Sequence, residues 1–157
     1  MSDSTIRQQL VNLLTKRQAH MLFNDAVKDF PEAHINTQIS DADYTFWHLI
    51  EHIRLTQFDI LDYIRNPEYA ARQWPRDYWP APDATTDTAG WSQTVQQFNA
   101  DLQALLDIIN DPANDLFAQI PHAQPGHNIL REIIIVGQHN AYHVGELGIL
   151  RQTMGLW

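Results

Sequence analysis

From Asn128 to Met154 the residues Ile129, Ile133, Val136, Val144, Leu147 and Leu150 recur at three- and four-residue steps. That spacing places them on one face of a helix. Asn128 is a good N-cap and Gly155 a good stop. Three further segments carry the same period, and no recognisable strand, internal repeat or low-complexity tract interrupts them. A chain that must bury four amphipathic stripes against one another is expected to form an all-α four-helix bundle with long crossover connections.

The first of the other segments can be capped by Ser4 or Thr5. It carries Ile6, Leu10, Leu13, Leu14, Met21, Leu22 and Val27, and is expected to run as one helix to about Lys28, with Pro31 ending it. The second begins at Ser40 or Asp41 and runs to about Arg65, where Asn66-Pro67 stops it. Its stripe is Phe46, Leu49, Ile50, Ile53, Ile60, Leu61 and Ile64. The third runs from about Thr88 to Asn110 with Trp91, Val95, Phe98, Leu102, Leu105, Leu106 and Ile109. Between the second and third lies a proline-rich crossover, residues 66–90, that includes Arg72-Gln73-Trp74-Pro75-Arg76-Asp77-Tyr78-Trp79-Pro80. Large rings in such a segment pack on something, so it either walls a pocket or covers one end of the bundle.

Two histidine pairs at i, i+4 stand on these helices, His48 with His52 and His139 with His143. Residues four apart share a helix face, with Cβ atoms about 5–6 Å apart, so both rings can reach one metal ion. On a wheel of about 100° per residue, His143 falls about 50° and His139 about 90° from the centre of their stripe. Both therefore turn inward. His52 sits about 100° from its stripe centre and His48 about 140°, which makes His52 the better candidate and leaves His48 facing solvent. His20, His34, His122 and His127 are isolated and are expected to be scaffold. Glu132, two turns before His139, either orients a ligand or is an exposed carboxylate in the first turn of its helix. Gly137, Ala141, Gly145 and Gly148 form a strip of small residues against which another helix can come close, within the chain or from a second copy.

Composition excludes several classes. The net charge is -9 with no Lys/Arg cluster, which argues against a nucleic-acid partner. Cysteine is absent, so there is no disulfide, thiolate ligand or cysteine nucleophile. No apolar run approaches the length of a membrane span and no leader pattern opens the chain, so the expectation is a single cytoplasmic domain, 1–157, without a membrane partner. Neither a Ser-His-Asp arrangement nor a phosphate-binding glycine fingerprint is evident.

The order of motifs resembles a known family. A histidine late in Trp47-His48-Leu49-Ile50-Glu51-His52-Ile53 is followed by Asn66-Pro67-Glu68-Tyr69 and Trp74-Pro75-Arg76-Asp77-Tyr78-Trp79-Pro80. His139-x-x-x-His143 and Gly145-Glu146-Leu147 come next, with Arg151 and Gly155. This resembles the DinB-like proteins, a superfamily that includes YfiT-type hydrolases and the mycothiol- and bacillithiol-dependent S-transferases. The resemblance implies an up-down-down-up bundle holding a divalent metal, often nickel or zinc, by three histidines, carried here onto His52, His139 and His143. Many relatives have Gln where this chain has Glu146, a position not expected to be a ligand.

Three histidines leave coordination positions open for water or substrate, as in catalytic sites. The expected function is a metal-dependent enzyme, either a hydrolase or an S-transferase using a low-molecular-weight thiol, acting on a small-molecule substrate, with a homodimer formed by helix packing. The alternative is a non-catalytic bundle that binds metal or a small ligand in a stress response.

Overall fold

The computed structural model describes residues 2–38 and 42–157. Among these described residues five α-helices follow in order: α1 (Asp3–Thr15), α2 (Phe23–Val27), α3 (Phe46–Arg65), α4 (Thr88–Asn110) and α5 (Ile129–Thr153), with a 3-10 turn at Glu32–His34. No strand is present among the described residues, and the four long helices are those of an all-α bundle. None of the helices is long and apolar enough to cross a membrane.

Two helices, α4 and α5, follow the sequence expectation closely. Asp87 caps α4 by accepting from the Gly90 N–H, and Asn128 caps α5 by accepting from that of Arg131. Gly155 ends α5 with φ +69°, a left-handed geometry that glycine adopts without strain. The helix start expected at Ser40 or Asp41 lies outside the described residues; α3 begins at Phe46, with Thr45 accepting from the His48 N–H.

The first helix departs from expectation. Ser2, not Ser4 or Thr5, is its N-cap, and it ends at Thr15 instead of continuing to Lys28. The reason lies in the stripe itself. After Leu14 the next core-facing positions hold Arg17 and Gln18, so a continued helix would turn polar side chains into the bundle. The chain bends instead, Arg17 pairs with Asp25, and the short α2 restarts at Phe23.

The core has two parts. One joins Leu10 and Leu14 of α1 to Ile60, Leu61 and Ile64, Leu105 and Ile109, and Ile133 and Val136. The other joins Phe23, Ala26 and Val27 of α2 to Phe46, Leu49, Ile50 and Ile53, Phe98, Val144 and Leu147. Along α3 the apolar run is interrupted between Ile53 and Ile60, where Gln57 is buried, and along α5 between Val136 and Val144. The interruption on α5 spans His139 to His143. A polar belt therefore separates two apolar halves; His139 and His143 lie within it, and His52 stands one residue before its edge on α3.

Two buried arginines close helix ends that lack a basic last turn of their own. Arg7 donates to the carbonyls of Ile109, Asp111 and Asn114 at the end of α4, and Arg151 to those of Ala26, Lys28 and Asp29 after α2. Each supplies charge-assisted bonds to carbonyls that the helix leaves free. Half of the small-residue strip on α5 is internal. A Cβ on Gly137 would strike Leu13 at 2.7 Å, and one on Gly148 would meet Met21 at 3.0 Å, whereas Gly145 has open space.

Leu61 is fully buried in the first half of the core. Leu61→Ala is expected to cost about 2–5 kcal/mol, the usual cost of a cavity at such a site, measured as a lower urea midpoint with an unchanged slope.

Candidate metal centre

The helix-packed positions of α3 and α5 bring His52, His139 and His143 together. Their ligand atoms lie within 4.8 Å of one another, a group that could hold a metal ion. The Nε2 of His52 is 3.1 Å from that of His139 and 3.2 Å from that of His143. His52 is 1% exposed and is covered by the crossover, where Trp79 lies flat on its ring with centroids 3.9 Å apart and planes within 5°. Trp74 approaches the same ring edge-on at 6.2 Å. The crossover thus walls the site.

The other ring nitrogens determine what the cluster can bind. His52 Nδ1 lies 2.8 Å from the Tyr78 carbonyl oxygen, which can only accept, so Nδ1 carries the proton. His143 Nδ1 lies 2.8 Å from Glu146 Oε2 and donates to it in the same way. In the neutral rings both Nε2 atoms then present lone pairs, facing each other 3.2 Å apart. Two opposed lone pairs repel, and a cation placed between them removes the repulsion. The donor set therefore fits a divalent metal, with a carbonyl and a carboxylate orienting two of its imidazoles from behind.

Electrostatics agrees with neutral rings at His52 and His139. Burial pushes His52 down to about 4 and His139 down to about 3, with the neighbouring imidazoles adding to the shift in both. The hydrogen bond from His143 holds the Glu146 carboxyl below its usual range, and the Tyr44 hydroxyl, which also donates to Glu146, adds to this. Burial and that same contact raise Tyr44 above the usual phenol value.

The crossover is pinned by one carboxylate. Asp59, buried on α3, accepts from the hydroxyls of Tyr69 at 3.0 Å and Tyr78 at 2.7 Å, and pairs with Arg72 at 3.2 Å. Fixing Tyr78 fixes both the carbonyl that orients His52 and the adjacent Trp79.

His48 stays out of the cluster, but it is buried and does not face solvent. Its Nδ1 accepts from the Thr45 N–H, and its Nε2 donates to the Ala84 carbonyl at 2.7 Å. The crossover folding over α3 covers a position that a bare helical wheel leaves exposed. Glu132 is likewise buried instead of exposed, and its partners are Arg131 and His127, not a cluster histidine. His20, His122 and His127 bond to Met21, Tyr63 and Tyr63 respectively, as scaffold histidines do. The sequence reading missed Glu146 as an orienting group. Its signal was the i, i+3 spacing from His143, which puts both on one helix face.

With this geometry in place, the comparison with protein families is decisive. Residues 16–147 match the DinB superfamily. The chain belongs to the DinB superfamily. Neither a curated protein nor a solved structure matches it. The matched span contains all three histidines of the cluster.

The lowered His52 and His139 set a pH dependence for the metal-free protein. Between the ordinary value of 6.5 and about 3–4 the unfolded chain binds protons that the folded rings refuse. Stability therefore falls as pH drops through that window. Urea unfolding at pH 7 and pH 5 should show this loss, and His139→Gln should shrink it; an equal loss in the variant would mean that His139 is not the buried neutral group.

Proposed function

We propose that this chain is a metal-dependent enzyme, a hydrolase or small-thiol S-transferase, in which His52, His139 and His143 hold one divalent ion, nickel or zinc, through Nε2. The pair of opposed lone pairs on His52 and His143 carries this reading. When bound by three imidazoles, such an ion lowers the pKa of a coordinated water toward about 7, or binds a thiol as its thiolate. Glu146 keeps the His143 proton on Nδ1, and the Tyr44 hydroxyl keeps Glu146 in place. Trp79 covers the face of the His52 ring and keeps water from it.

A cleft of about 670 Å³ lies on the crossover side, lined by Tyr44, His48, Trp79, Pro80 and, among charged groups, Arg76 and Asp43. Its volume is in the range of small-molecule sites, and its walls are mainly apolar. Two of its residues also touch the site, Trp79 through His52 and Tyr44 through Glu146. The cleft is our candidate for the small-molecule substrate, with its apolar part against Trp79 and Tyr44.

The same reading includes a homodimer. On α5 the exposed Tyr142 and Ile149, 74% and 66% accessible, flank the open Gly145. Sedimentation at micromolar concentration is expected to show a dimer that Tyr142→Glu weakens; a wild-type monomer rules it out.

Metal content of protein purified without a histidine tag tests the site. His52→Ala, His139→Ala and His143→Ala should each strip the ion at neutral pH, and His48→Ala should leave occupancy nearly intact. Loss with His48→Ala but not His52→Ala would overturn the ligand set. Assays of the loaded protein against ester and amide substrates, and against thiol–electrophile pairs, then separate the two reactions.

A further inference from the structure

His52 and His143 each have an acceptor behind the ring, and His139 does not have one that closes a hydrogen bond. Its Nδ1 is buried without a partner, and so is Oδ1 of the next residue, Asn140. A chain of amides explains why that oxygen is free. Gln57, 1% exposed on α3, donates from Nε2 to the Phe98 carbonyl at 2.8 Å. A carbonyl can only accept, so the Gln57 amide cannot be turned round, and its Oε1 must face Asn140. Asn140 in turn must offer Nδ2 to that oxygen, which it does at 3.0 Å. Its Oδ1 is left as an acceptor lacking a donor, in the residue that follows an imidazole nitrogen lacking an acceptor.

We infer that Gln57 and Asn140 are positioning residues for His139, presenting Asn140 Oδ1 to its Nδ1–H so that the Nε2 lone pair faces His52. This rests on the metal-site reading proposed above and completes it. Each of the three imidazoles then has its proton held at Nδ1, by a backbone carbonyl, an amide and a carboxylate in turn. The direction of the chain is set remotely by the Phe98 carbonyl on α4, so α4 helps to define a ligand although it supplies none. A neutral His139 has one proton to place. The competing arrangement puts it on Nε2, donated to the His52 lone pair 3.1 Å away, which would block that nitrogen from a metal.

Nitrogen-15 NMR of the metal-free protein at pH 7 distinguishes the two tautomers directly. The expected result is Nδ1–H at His139 in the wild type and a shift toward Nε2–H in Asn140→Leu and Gln57→Met. Zinc binding should weaken about 10- to 100-fold in both, the usual effect of removing an orienting partner. Asn140→Asp made together with Gln57→Met, which keeps an acceptor at 140 with no amide oxygen opposing it, should retain the tautomer and most of the affinity, and the wild-type tautomer decides the matter if a variant does not fold. Nε2–H in the wild type, or an unchanged tautomer in Asn140→Leu, would overturn the inference and leave Asn140 as a wall of the 250 Å³ cavity it shares with Leu13, Phe98 and Val144. A wild type that binds no zinc but shows the Nδ1–H tautomer and its loss in Asn140→Leu would sink the metal reading and keep the relay.

Discussion

Packing α3 against α5 brings the Nε2 atoms of His139 and His143 each to within about 3 Å of that of His52 in a largely dry setting, and much of the surrounding structure answers that constraint. His52 and His139 keep their charge off because burial makes a proton costly. A neutral ring must then be told which nitrogen holds its proton. The Tyr78 carbonyl and the Glu146 carboxylate do this for His52 and His143. Asp59 acts one step further out by tying Tyr69, Arg72 and Tyr78 to α3, so that a long crossover can deliver a backbone carbonyl and the Trp79 ring to a fixed place.

The polar belt interrupts the apolar core but leaves few unmatched groups. Gln57 is nearly inaccessible, yet both ends of its amide are bonded, to Phe98 and Asn140. Leaving either end unsatisfied would cost about 1–3 kcal/mol, so the amide chain has a definite direction. The apolar halves on each side supply rigidity: Leu61 and Leu105 in one, Phe46 and Ile50 in the other, are completely buried. Arg7 and Arg151 then tie the ends of α4 and α2 to α1 and α5, which secures the frame that the histidines require.

Much of this was legible from periodicity. The stripes on α3, α4 and α5 located those helices, and Asn128 and Gly155 marked the limits of the last one. The inward turn of His139 and His143 and the preference for His52 over His48 followed from wheel angles. The wheel failed where another segment intervened. His48 is buried because the crossover reaches it through Ala84, and Glu132 because Arg131 and His127 enclose it. On α1 the apolar residues on both sides of the bend resumed in step, which concealed the break that Arg17 and Gln18 impose. Half of the small-residue strip on α5 serves contacts with Leu13 and Met21, a use that spacing alone does not distinguish from a dimer face.

The sequence by itself determined the helical class, the family motifs and the three histidines, because each depends on spacings along one helix, where geometry is set by local backbone repeat. Tertiary structure alone decided which groups stand behind those histidines. The Tyr78 carbonyl is 26 residues from His52, Tyr44 is 102 from Glu146, and Gln57 is 83 from Asn140. Contacts at such separations have no period to betray them. They arise only when the core closes and each buried donor is obliged to find an acceptor.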